Sequence, residues 1–106
     1  MSLDIEPVCP TCNTCPSYEY DLNITHNVRG ICVAAGVDPW EWHGVRCGDC
    51  VDDLRRAVVK IRDDGDSMRH LEPSNGWGSV AGTSRFLRAL LDAAEACPAM
   101  TWKVSR

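Results

Sequence analysis

Alternation and helical spacing divide the chain into a short series of elements. Over residues 17–25, Tyr18, Tyr20, Leu22 and Ile24 alternate with Glu19, Asp21 and Asn23, the pattern of a half-buried strand. Thr25 is placed to cap a short helix over residues 26–35. Its apolar face is Val28, Ile31, Cys32 and Ala35, and Gly36 stops it. Residues 37–46 read as a loop or single turn that carries Trp40 and Trp42 as lids. Val51, Leu54, Val58 and Ile61 then recur at helical spacing as far as Arg62, with Asp49 expected as N-cap and Asp52 and Asp53 at the positive end of the dipole. The run of residues 63–66 breaks this helix, and residues 68–71 suit one further turn. The longest helix is expected behind Ser79, burying Val80, Phe86, Leu87, Leu90, Leu91 and Ala94, with Pro98 ending it. Residues 101–105 alternate weakly, placing Trp102 and Val104 on one side. Pairing this segment with the first strand satisfies backbone groups that a lone strand leaves unpaired.

The expected fold is therefore α+β: about three helices packed on a two-stranded sheet made of the first and last strands. At 106 residues the chain reads as a single domain, with a Cys-rich arm over 1–16 and a body over 17–106. A domain of this size buries only about two-thirds of its unfolded surface, so a cross-link from arm to body would matter.

Seven cysteines are the chemistry that stands out. Two Cys-x-x-Cys pairs, Cys9/Cys12 and Cys47/Cys50, each have the length of a turn that grips one ion with two thiolates. Together they predict a four-thiolate structural zinc site, an N-terminal zinc knuckle clamped to the body. Cys15 extends the first pair to Cys-x-x-Cys-x-x-Cys and is a substitute ligand, as is His43. The close fourth cysteine of an iron–sulfur motif is missing from that run. Cys32 and Cys97 lie on apolar helix faces and are expected to pack as small core residues. A competing reading takes the segment of residues 47–50 as a redox turn of thioredoxin type; the segment before it, residues 40–46, does not read as the strand such a turn requires.

Charge and the front of the chain narrow the setting. The first ten residues carry acid and proline, without a basic-then-apolar leader, and no apolar run approaches a membrane span of roughly 20 residues. The expected compartment is a reducing cytoplasm, where paired cysteines favour metal over disulfide. A net charge of −4 disfavours general nucleic-acid binding and an anionic membrane as partner, which leaves a protein partner or a small ligand. His26, Asn27, Asn75 and Trp77 are the polar and aromatic residues that would line a ligand pocket, joined by Arg106 for an anion. Their plainer roles are capping, turn formation and core anchoring. No grouping of a nucleophile with its base, no nucleotide-binding glycine loop and no carboxylate pair is readable in the chain.

Three segments, residues 23–27 (NITHN), 73–79 (PSNGWGS) and 104–106 (VSR), resemble in order and spacing a family of small proteins common in bacteria and their phages. The family has no established activity. Some of its members resemble this chain in having a Cys-x-x-Cys before the first strand, as Cys9 and Cys12 do. Cys47 and Cys50 depart from the pattern, because apolar residues usually stand there. The resemblance implies a bacterial cytoplasm as the setting for a phage-encoded protein. The expected function is a non-enzymatic, zinc-stabilised protein-interaction module, with ligand binding or thiol redox chemistry as alternatives.

Overall fold

Leu3, Ile5 and Pro7 alternate with Asp4 and Glu6, and this short pattern at the front of the chain forms a strand. The computed structural model describes residues 2–11, 22–76 and 78–106. In it β1 (Ser2–Val8) has Leu3 and Ile5 fully buried while Asp4 is exposed. Two further strands, β2 (Leu22–Thr25) and β3 (Thr101–Ser105), pair antiparallel with it, one on each side. Leu3 lies opposite Ile24 and Ile5 opposite Leu22. On the other side Ile5 faces Val104, Pro7 faces Trp102 and Val8 faces Thr101. The expected two-stranded sheet is thus corrected to three strands in the order β2-β1-β3, and the first and last predicted strands are separated by β1. What reads as an arm over 1–16 contributes the central strand. Proline in a strand interior usually signals an edge. Here the described ladder with β2 ends at Ile5, so at Pro7 the missing N–H falls beyond it. Of the strand predicted over residues 17–25, Leu22–Thr25 is observed and the remainder lies outside the described residues.

The helices follow their apolar spacing closely. Thr25 accepts the Asn27 N–H, opening a 3₁₀ turn (His26–Val28) that leads into α1 (Arg29–Ala35). Gly36 ends α1 in the left-handed region, at φ 106°, with its N–H donated to Cys32 and Val33 carbonyls, a conformation glycine adopts at no steric cost. The second helix, α2 (Val51–Asp64), buries Leu54, Ala57, Val58 and Ile61. Asp49 does not cap it. A 3₁₀ turn over Cys47–Cys50 precedes the helix, and Cys50 occupies the cap position, its Sγ donating back to the Arg46 carbonyl instead of capping the helix. That turn is held from outside, by Cys47 and Gly48 N–H groups donated to Met100 and Pro98 carbonyls. After a 3₁₀ segment (Gly65–Leu71) that buries Met68, the longest helix, α3 (Val80–Ala96), starts at Ser79 as expected. The Ser79 hydroxyl accepts the Gly82 N–H, and the Glu72 carboxylate accepts that of Val80. A carboxylate at this end also suits the helix dipole.

The apolar faces of all three helices and the inner face of the sheet meet in one continuous core. Trp102 and Trp40, at 1% and 2% exposure, are its largest members. Among the described residues no helix is long and apolar enough to cross a membrane.

Since Leu3 and Ile5 are buried without residual exposure, truncating either to alanine should cost about 2–5 kcal/mol, the range for large-to-small core changes. Urea unfolding of Leu3→Ala and Ile5→Ala measures this. A shift within about 0.5 kcal/mol, typical of surface sites, would show that β1 does not form the centre of the sheet.

Candidate functional site

Thr101, the first residue of β3, is the reference point for the thiols. It pairs with Val8 on one side and forms an isolated antiparallel bridge with Arg46 on the other. Cys9 and Cys47 are the residues that directly follow these two partners. The Cys47 N–H is donated to the Met100 carbonyl at 2.8 Å. Two strand spacings of about 4.8 Å separate the two partners of Thr101, and two zinc–sulfur bonds of about 2.3 Å would cover nearly half of that gap. Cys47 and Cys50 are buried and Cys9 is half-buried. Cys12 and Cys15 lie outside the described residues. Among the described residues, no three His, Cys, Asp or Glu side chains already stand together as an ion-binding group.

Burial sets the chemistry of these thiols. It pushes Cys47 up to about 12, helped by the neighbouring Cys50 and Cys97. Cys50 is also raised by burial, with Asp53 and Asp49 adding to the effect, but the Trp102 side chain acts against it by favouring the thiolate. The Trp102 indole N–H is buried and has no hydrogen-bond partner among the described residues. A buried unpartnered donor costs about 1–3 kcal/mol, and a sulfur anion beside it would relieve that cost. A protonated, buried thiol is a poor nucleophile. Val45 and Arg46 do lead into the Cys47–Cys50 turn while bonded to β3, but antiparallel, unlike the parallel βαβ setting of a thioredoxin turn. Both features disfavour the redox reading.

The remaining candidate ligands are distributed differently. His43 accepts the Val104 N–H through Nδ1 at 3.1 Å, four residues along β3 from Met100. That separation is about 13 Å of strand, so the suggested substitution of His43 for a thiolate does not hold. Cys32 is fully buried under α1, as expected. Cys97 instead follows the end of α3 and is half-buried.

The three motif segments meet around the His26–Val28 turn. Gly78, at φ 123°, lies against this turn so closely that an added Cβ would come within 2.4 Å of Val28 and 3.2 Å of Thr25. His26 sets its edge against Trp40, with centroids 6.0 Å apart. Arg106 donates to the Trp40 carbonyl at 2.7 Å and reaches Glu41 at 3.4 Å. Arg29, over the Trp40 ring, makes two hydrogen bonds to Asp38 and a third to Glu41. His26 Nε2 and Trp40 Nε1 are buried without a hydrogen-bond partner among the described residues.

A cleft of about 450 Å³ opens between β2 and the first turns of α3, lined by Asn23, Val28, Gly78, Ser79, Arg85 and Phe86 among others. His26, Asn27 and Asn75 are not in its lining: His26 is half-buried against Trp40, and both asparagines are exposed. Trp77 lies outside the described residues. The predicted pocket residues are neighbours in sequence of the cleft, whose walls come from residues 22–24, Val28, Gly78, Ser79 and the first turns of α3. Comparison with family models, curated proteins and solved structures finds no match to this chain.

Two consequences follow from this packing. Gly78→Ala should destabilise the domain by at least about 2 kcal/mol, because it adds a left-handed backbone penalty to a collision with Val28; thermal and urea unfolding give the value, and a neutral change would separate the two motifs. Burial, followed by the negative charge of Asp38, lifts the Cys32 thiol from 9.0 to about 12. Its contribution to stability is therefore complete below pH 9 and is lost as pH rises toward 12, at up to about 1.4 kcal/mol per unit. In reduced, metal-free protein, Cys32→Ala should flatten the decline in urea midpoint between pH 8 and pH 10.5. An unaltered slope would place Cys32 outside the core.

Proposed function

We propose that this chain is a protein-interaction domain closed at its thiol-bearing end by a structural zinc ion. Cys9 and Cys12 bind from the front of the chain and Cys47 and Cys50 from the body, with Cys15 as the substitute ligand. The observation that carries the reading is the register around Thr101, whose two partners, Val8 and Arg46, directly precede Cys9 and Cys47. The buried Trp102 N–H beside Cys50 supports it, since a metal-bound sulfur is the kind of acceptor such a donor suits. In this reading the ion supplies no chemistry beyond holding sulfur, and the acidic chain, at −4, presents its surface to another protein. A bacterial cytoplasm, for a phage-encoded chain acting on a host protein, is the setting that the resemblance of the three motif segments supports.

The cleft beside Gly78 favours a second reading, a small-ligand site whose walls come from parts of the first two motif segments and from α3. Arg85 at its rim would orient an anionic group. Loss of a metabolite's thermal shift in Arg85→Ala would favour that reading over the first.

Protein purified without added metal should contain about one zinc per chain. Chelation should lower the melting temperature by roughly 8–16 °C, equivalent to about 2 kcal/mol in a domain of this size. A partner recovered with the intact protein should be lost from the chelated form. Metal-free protein with an unchanged melt would overturn the zinc reading.

A further inference from the structure

The two outer edges of the sheet differ. Along β3, Trp102 donates to the Val45 carbonyl, Gly44 donates to Trp102 and Val104 donates to His43, so residues 43–46 cover that edge. β2 lies at the other end of the order β2-β1-β3, and among the described residues no segment pairs with its outer side. The direction of its backbone groups follows from the register. Trp102 and Val104 direct their N–H groups away from β1, and this direction alternates along a strand. The backbone groups of Lys103 and Ser105 are therefore turned to β1, those of their partners Glu6 and Asp4 to β3, and those of Leu3 and Ile5 to β2. Leu22 and Ile24 bond inward to β1, which leaves the Asn23 and Thr25 N–H groups directed outward.

Beside this edge lies the cleft of about 450 Å³, with Leu22, Ile24, Val28 and Phe86 as apolar walls. It lies on the side of the sheet to which Leu22 and Ile24 point, where a strand added to β2 would set every second side chain. Arg85 stands at its rim, folded back over Gly82, where an added Cβ would lie 3.8 Å from the guanidinium. Among the described residues Arg85 makes no ion pair or hydrogen bond, whereas Arg29, Arg55 and Arg106 are each matched to a carboxylate.

We infer that β2 is the docking edge for an extended, acidic peptide segment of the partner protein. The segment pairs with the outward groups of Asn23 and Thr25, sets one apolar side chain in the cleft and turns a carboxylate on the same face to Arg85. Main-chain pairing supplies affinity in this mode, and the alternate side chains supply specificity. The inference rests on the protein-interaction reading and is independent of the ion.

Selection of a random linear-peptide library on the immobilised full chain tests this. The selected peptides should share an apolar residue with an Asp or Glu two positions away. Arg85→Glu should melt as wild type does and bind these peptides at least about tenfold more weakly, and replacing the peptide carboxylate with lysine should restore binding to that variant. Amide hydrogen exchange separates strand pairing from charge attraction alone. At Asn23 and Thr25 it should be fast in the free chain and at least about tenfold slower with peptide bound. Slow exchange in the free chain would show the edge already covered by the chain itself, and would overturn the inference. Peptides that protect neither amide, or that bind Arg85→Glu at full strength, would also overturn it and leave the protein-interaction reading standing. So would a library that yields no binder, since recovery of a folded partner tests that reading separately. A small carboxylate that requires Arg85 and protects neither amide would overturn it in favour of the small-ligand reading.

Discussion

Backbone pairing on both sides of β1 is the constraint on which the rest of the structure depends. β2 and β3 do not touch; each is paired to β1. The two ladders overlap at Asp4 and Ile5; Ile5, on the buried face, has Leu22 on one side and Val104 on the other. Withdrawal of β1 would leave two short strands with unpaired donors and acceptors, at a cost comparable to several lost hydrogen bonds. It would also expose the Leu3 and Ile5 side chains on which the helices close. The helices carry strong local signals of their own, but their common floor is this strand.

A second constraint is the close approach at two glycines, and it explains how a small domain holds several irregular segments in place. Gly78 lets the turn before α3 sit against the His26–Val28 turn, and Gly48 lets the thiol turn sit against the one after α3. Both ends of α3 are thereby tied to the elements around α1 and α2 through backbone contact. Long side chains, with their entropy cost on ordering, are not needed for those ties. Arg106 adds a third tie, from beyond β3 to the Trp40 carbonyl. Gly78, Thr25 and Arg106 fall within the three motif segments, so a packing requirement accounts for them without any ligand. The cleft is a by-product of the same junction until a ligand is shown to fill it.

Much of this was legible in the sequence, and the failures have physical causes. The helical stripes at Leu54, Val58 and Ile61 and at Phe86, Leu87, Leu90 and Ala94 are all buried as their spacing indicates. Ser79 caps α3 and Gly36 stops α1 for reasons local to each residue. The central strand was not legible because its alternation is short, contains Pro7 and runs directly into a cysteine-rich turn. Asp49 has the composition of a cap, yet Met100 and Pro98, distant in sequence, fix the turn one step ahead of it. Tertiary hydrogen bonds overrode a local preference there. Cys97 was misplaced for the same reason: its position follows the end of α3 and the turn to β3, which helical periodicity does not describe.

The thiols and the central strand are connected, because Cys9 follows directly on Val8, the last residue of β1. A clamp between this point and the body would act on the strand that both neighbouring strands require. Its stabilisation would be large for the number of atoms involved. Joining positions far apart in sequence restricts the unfolded chain, a loop-closure effect that grows with separation. The same geometry makes the metal-free state vulnerable in a specific way. With the end of β1 paired to β3 at Val8–Thr101, fraying would begin at Val8 and proceed toward Ile5, uncovering an edge of β3 next to an apolar face. Unpaired edges of that kind invite pairing with other chains. A thiolate clamp at the Cys9 end would therefore suppress association as well as raise stability.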